Sequence, residues 1–238
     1  MSAQELFRAG RLDDAVEALG AELRNDPTDA RRRTFLFELL CFGGAYGRAE
    51  KQLDVLAQGG PDAAAGTLLY RSALHAERTR QEMFGEGTYP TGPAPRAVSG
   101  TLNGTPFQTL ADADPRIGAR LEIFAAGQYT WIPLAQIASV RMSPPKRLRD
   151  LLWAPALVRT SADFQGAELG EVLVPVMAPL SWHHENDAVR LGRVTEWQQL
   201  GDDAQAPIGQ KLLLVDEQEF PILELRELDI VPATVAVS

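Results

Sequence analysis

Leu6 to Leu19 reads LFRAGRLDDAVEAL, and 34 residues further on Leu40 to Leu53 reads LCFGGAYGRAEKQL. Leu6, Gly10, Leu12, Ala15 and Leu19 fall opposite Leu40, Gly44, Tyr46, Ala49 and Leu53, and Pro27 falls opposite Pro61. One fixed offset running through apolar, small and turn residues is the mark of a repeated supersecondary unit. Glycine at 10 and 44 suits the end of a helix, where φ may turn positive. Alanine at 15 and 49 lets paired helices approach closely, and each proline closes one unit and opens the next.

Outward from this core, Asp26-Pro27-Thr28-Asp29 supplies a helix stop followed by N-cap residues, and Phe35, Leu36, Leu39, Leu40 and Phe42 then follow at helical spacing. The spacing predicts helices over roughly 2–9, 11–24, 29–42, 45–58 and 62–83. The pattern resembles tetratricopeptide repeats, two full units and part of a third. The first unit lacks most of its first helix, because few residues precede Gly10.

From Gly85 the composition changes. Gly85, Gly87, Pro90, Gly92, Pro93 and Pro95 crowd together, which reads as the end of the helices and a linker over 85–97. The expected organisation is therefore a helical repeat domain at 1–84 and a mixed, strand-rich α+β domain at 98–238, giving an α+β chain. In the second part, 121–124 and 129–132 flank a glycine-containing loop and 211–215 and 220–225 flank Asp216 to Glu219, two hairpin patterns. Further strands are expected at 137–142, 156–160 and 171–176, and short helices at 133–138 and 146–153.

The chain has 238 residues, 45% hydrophobic and 23% charged, enough apolar matter for a sizeable core. Its net charge of −9 opposes the phosphate attraction that supplies most non-specific nucleic-acid affinity, and neither part is basic by itself. One cysteine, Cys41, allows no intrachain disulfide and sits among helix-packing residues. Charges at Glu5, Arg8, Arg11, Asp13 and Asp14 interrupt any signal-peptide core, and no stretch approaches the roughly 18 apolar residues of a membrane span. These features predict a cytoplasmic protein without nucleic-acid or membrane partners.

No Walker A loop, Gly-x-Ser-x-Gly elbow, dinucleotide glycine fingerprint or His-Glu-x-x-His helix occurs, so the sequence offers no catalytic residue, metal site or cofactor. Trp182 to Asp187 (WHHEND) holds two imidazoles and two carboxylates, but adjacent histidines suit a solvated loop better than a metal. Asp112 and Asp114 before Pro115 read as a turn. Lys146, Arg147 and Arg149 precede Leu151, Leu152 and Trp153, an amphipathic segment whose basic side is either solvated or a partner contact through Arg147, Arg149 and Trp153.

Stacked helix pairs leave a concave face that can hold a peptide. Counting from the matched glycines, the register resembles one that lines this groove with Arg8, Arg31, Thr34, Glu38, Ser72 and His75; Arg31, Thr34 and Glu38 share one helix face by spacing.

Over nearly the whole chain the sequence resembles the ImpE/TagJ family of type VI secretion accessory proteins. The resemblance is carried by LFRAGRLDDA at 6–15, DADPRIG at 112–118, YTWIP at 129–133, SPPKRLRDLLWAP at 143–155, EVLVP at 171–175, DAVRLGRVTE at 187–196 and FPILELREL at 220–228. It implies a non-enzymatic cytoplasmic accessory factor that contacts the N-terminal helix of the small subunit of the contractile sheath and modulates sheath assembly or its disassembly by a hexameric ATPase, reached indirectly. Two other readings stay open: a repeat-containing chaperone or assembly factor for another complex, and a small-ligand sensor or enzyme in the C-terminal part, with Trp182 to Asp187 and Asp112/Asp114 in a cleft.

Overall fold

The computed structural model describes residues 1–90, 96–166, 168–201 and 204–231; residues 91–95 of the expected linker lie outside the described set. Five helices come first: α1 (Ala3–Arg8), α2 (Leu12–Asn25), α3 (Ala30–Phe42), α4 (Tyr46–Ala57) and α5 (Pro61–Glu86). Ser2 and Glu5 form a capping box on α1, Asp29 caps α3 and Pro61 occupies the first turn of α5. Gly10 and Gly44 both take positive φ, at 77° and 67°, and the starts of the helices that follow them, Leu12 and Tyr46, keep the sequence offset. Leu6, Leu12, Ala15, Leu19, Leu40, Ala49 and Leu53 are all buried, so the matched positions form the seams between helices.

α5 extends past the expected end at 83. Gly85 is accommodated inside it, and the stop is Gly87, in the left-handed region at φ 69° with its N–H on the Met83 carbonyl. Packing accounts for the extra turn: Phe84 is buried with its ring 5.3 Å from Tyr89 and 6.0 Å from Trp131.

The strand-rich part holds β1 (Ser99–Leu102), β2 (Thr105–Phe107), β3 (Leu110–Asp112), β4 (Arg120–Ala125), β5 (Gln128–Pro133), β6 (Ile137–Met142), β7 (Trp153–Thr160) and β8 (Gly170–Pro175). The short helix α6 (Asp187–Arg190) follows, then β9 (Thr195–Gln199), β10 (Gln205–Gly209), β11 (Leu212–Val215), β12 (Gln218–Pro221) and β13 (Glu227–Val231). An antiparallel sheet runs in the order β2-β1-β13-β6-β7-β8-β4-β5, accompanied by the three-stranded sheet β12-β11-β3 and the pair β10-β9. One face of the large sheet buries Val140, Met142, Ala156, Val158, Val172 and Val174 in a core shared with Leu213 and Ile222.

Both expected hairpins are present with tighter turns. β4 and β5 turn through Ala126 (φ 50°) and Gly127 (φ 79°), and β11 and β12 through Asp216 (φ 49°) and Glu217 (φ 67°), two-residue turns that suit the strand twist. Asp216 earns this conformation because its carboxylate accepts the Gln108 and Thr109 amides, each at 2.8 Å. The expected helices at 133–138 and 146–153 shrink to 3₁₀ turns, Leu134–Gln136 and Leu148–Leu151, and Trp153 instead begins β7.

The helices and the sheet share a second core. Phe124, Leu152, Trp153 and Leu191 enter the cluster built by Leu36, Phe37, Leu40, Cys41, Ala73 and Leu74.

Candidate functional site

Three sets of contacts tie the strand-rich part to the helices. The first is the segment 147–153. Leu148, Leu151, Leu152 and Trp153 pack into the helical core, the Arg149 guanidinium lies 4.7 Å over the Tyr70 ring, and the Trp153 ring is 6.3 Å from Phe37. Trp153 Nε1 donates to Glu77 Oε2 at 2.9 Å. Glu38 is buried beneath this segment, and burial raises its carboxyl to about 7, with the Arg149 charge and amide opposing and the Asp150 charge adding to the rise.

The second is a buried ionic cluster under α5. Arg80 is fully buried and donates to both Glu122 oxygens, at 2.8 and 3.1 Å, to the Met177 carbonyl at 3.0 Å and to Glu77 at 3.3 Å. Lys211, equally buried, lies 2.5 Å from Glu122 and also contacts Asp112, while the Tyr129 hydroxyl donates to Glu122. Burial would push the Glu122 carboxyl up, but the Arg80 and Lys211 charges outweigh it and hold the group low. Burial likewise raises Asp112 despite Lys211 beside it, with Glu122 adding to the rise. Every charged group here has a partner from another element, so the cluster fixes how α5 sits on the sheet.

The third is the stretch 181–193, in which His183, Glu185 and Asn186 are exposed, as expected of a solvated WHHEND loop, while Trp182 and the residues from Asp187 onward dock on the helices. Asp187 accepts the Leu12 amide at 2.7 Å at the start of α2, Arg190 pairs with Asp13 at 2.8 Å, and Arg193 donates to the Phe7 and Arg8 carbonyls at the end of α1. Orphan groups at helix ends are thereby satisfied by side chains far along the chain. Trp182 covers Gly44 so closely that a Cβ there would lie 2.3 Å from the indole. His184 faces Glu196 at 3.6 Å, Asn186 caps α6, and among the described residues no three His, Cys, Asp or Glu side chains converge as metal ligands. Asp112 does form the expected turn, accepting the Asp114 amide at 2.9 Å, while its other oxygen meets Lys211.

The residues expected to line the groove are thus divided. Arg8, Arg31 and His75 are exposed; Arg31 lines a cleft of about 330 Å³ with Ser2, Gln4, Leu19 and Phe35. Thr34 spends its hydroxyl on the Ala30 carbonyl at 2.9 Å. Glu38 lies beneath 147–153 and is thereby closed to a partner, and Ser72 faces the β4–β5 turn. Of the basic segment, Arg147 is exposed, Arg149 is stacked on Tyr70 and Trp153 is buried, which makes Trp153 a core residue unavailable to a partner. Arg80, Glu122 and Lys211 carry no motif. Their one sequence signal is the glutamate at 122 in a run otherwise apolar from Leu121 to Phe124.

The ImpE protein family model matches residues 104–229. The type VI secretion system accessory component TagJ of Pseudomonas aeruginosa is 35% identical over 266 aligned positions, spanning 98% of this chain and 92% of that protein. A crystal structure of a Vibrio parahaemolyticus protein superposes with a TM-score of 0.84 over 96% of this chain and 97% of its own at 24% identity, a likeness of fold.

Proposed function

The chain belongs to the ImpE family, and from that premise we propose that it is a non-catalytic adaptor of type VI secretion, acting in the cytoplasm. In this reading the five helices are tetratricopeptide-like and capture the N-terminal helix of the sheath small subunit. Capture changes how accessible the sheath is to the hexameric ATPase that disassembles it. The observation that carries the reading is the 35% identity to an accessory component along nearly the full length of both chains. The packing of 147–153 over Glu38 narrows the choice of contact residues: Arg31 and His75 stay open, whereas Glu38 does not.

Calorimetric titration of the full chain with a peptide of the cognate sheath small subunit's N-terminal helix tests the proposal. Saturable one-to-one binding, weakened by Arg31→Glu, is expected if recognition uses the open end of the groove. Absence of heat and of any shift in thermal stability would contradict the adaptor role. No helix in the described residues is long and apolar enough to cross a membrane.

A further inference from the structure

One side of the first half of α5 is an exposed, mainly apolar surface. Ala65, Leu68, Leu69 and Ser72 are three and four apart and so share one side of the helix; Leu68 is 65% exposed and Leu69 58%. Leu69, Ser72 and Ala73 form one wall of an open cleft of about 260 Å³, whose other walls are Phe124 and Gly127 of the first hairpin and Leu173 of β8. The cleft is smaller than the roughly 300–1,000 Å³ of small-molecule pockets, and its open, mainly apolar form suits side chains projecting from a helix.

One charge borders this cleft. Glu171 is exposed and, among the described residues, has neither a hydrogen-bond nor an ion-pair partner for its carboxylate. Covering the apolar walls would desolvate that carboxylate, an unfavourable step unless the occupant brings a cation to the same end. We infer that the cleft seats an amphipathic helix of a protein partner, its apolar stripe against Leu68, Leu69 and Phe124 and an arginine or lysine at one end paired with Glu171. The inference rests on the adaptor reading and places the captured helix at this cleft instead of at the Arg31 cleft.

The test is fluorescence anisotropy of a labelled peptide of the sheath small subunit's N-terminal helix with the full-length wild type, Leu69→Asp and Glu171→Lys. Both substituted side chains are exposed, so thermal unfolding should stay within about 2 °C of wild type. Leu69→Asp is expected to weaken binding by at least about tenfold and Glu171→Lys by about fivefold to tenfold. In a peptide series with each basic residue changed in turn to glutamate, one member should restore affinity to Glu171→Lys. If the wild type binds and both variants bind equally well, the cleft is overturned while the adaptor reading stands. If the wild type does not bind, the adaptor reading falls and the inference falls with it.

Discussion

The two halves of α5 belong to one continuous helix yet differ in what becomes of their large apolar residues. From Ala73 onward it buries Leu74, Glu77, Arg80, Gln81 and Phe84 against the sheet and its ionic cluster, whereas before Ala73 it leaves Leu68 and Leu69 in solvent. The second half therefore cements the molecule, and the first retains apolar surface of the kind that marks interaction sites. The 147–153 segment also packs on the helices over Glu38, which is thereby closed to a partner.

Removing a partner from the covered half should have the largest effect. Glu122→Gln leaves Arg80 and Lys211 buried with reduced compensation, and urea unfolding should show a loss of about 3–5 kcal/mol. A loss under 1 kcal/mol would mean that the cluster does not hold α5 to the sheet. Next comes Gly44→Ala, which combines a positive φ with a clash against Trp182 and should cost about 2–3 kcal/mol by thermal unfolding. Wild-type stability in Gly44→Ala would show that the 181–193 stretch can dock without that close approach.

A pH dependence sharpens the contrast. Burial raises the folded-state carboxyl of Glu38 from 4.5 to about 7, so its relative contribution to stability is fully present below the unfolded value and is lost as pH rises through about 7. Glu38→Gln should accordingly gain about 1–2 kcal/mol over wild type at pH 8 and close to nothing at pH 4.5, checked by denaturation at both values. A gain that does not depend on pH would mean that Glu38 is not titrating in that window. The smallest effect belongs to the uncovered half: Leu68→Ser should alter stability by no more than about 0.5 kcal/mol, since its side chain is mostly in water already.

The helical part was legible because its information is local. Gly10, Gly44, Ala15, Ala49 and the two prolines recur at one offset, and each position does in the fold what its residue type implies. The end of α5 was misplaced because Gly85 reads as a stop, while the turn that retains it depends on Phe84 meeting Tyr89 and Trp131. The paired carboxylates at Asp112 and Asp114 gave their turn correctly, but Lys211 is 99 positions away and no local pattern announces it. Trp153 looked like the apolar side of a basic helix. It is instead the first residue of a strand, because only tertiary contacts with Phe37 and Glu77 decide which way the chain turns after Leu152. Repeat register alone could not show that Glu38 would be covered, since the covering segment comes from the sheet.

Hydrogen exchange of the full chain, with and without a saturating peptide of the sheath small subunit's N-terminal helix, tests the account most directly. Added protection is predicted at 61–73 of α5 and around the 125–128 turn, with little change at 76–81, where Ala76, Glu77, Arg80 and Gln81 are already buried. Protection elsewhere with none in the first half of α5 would contradict it.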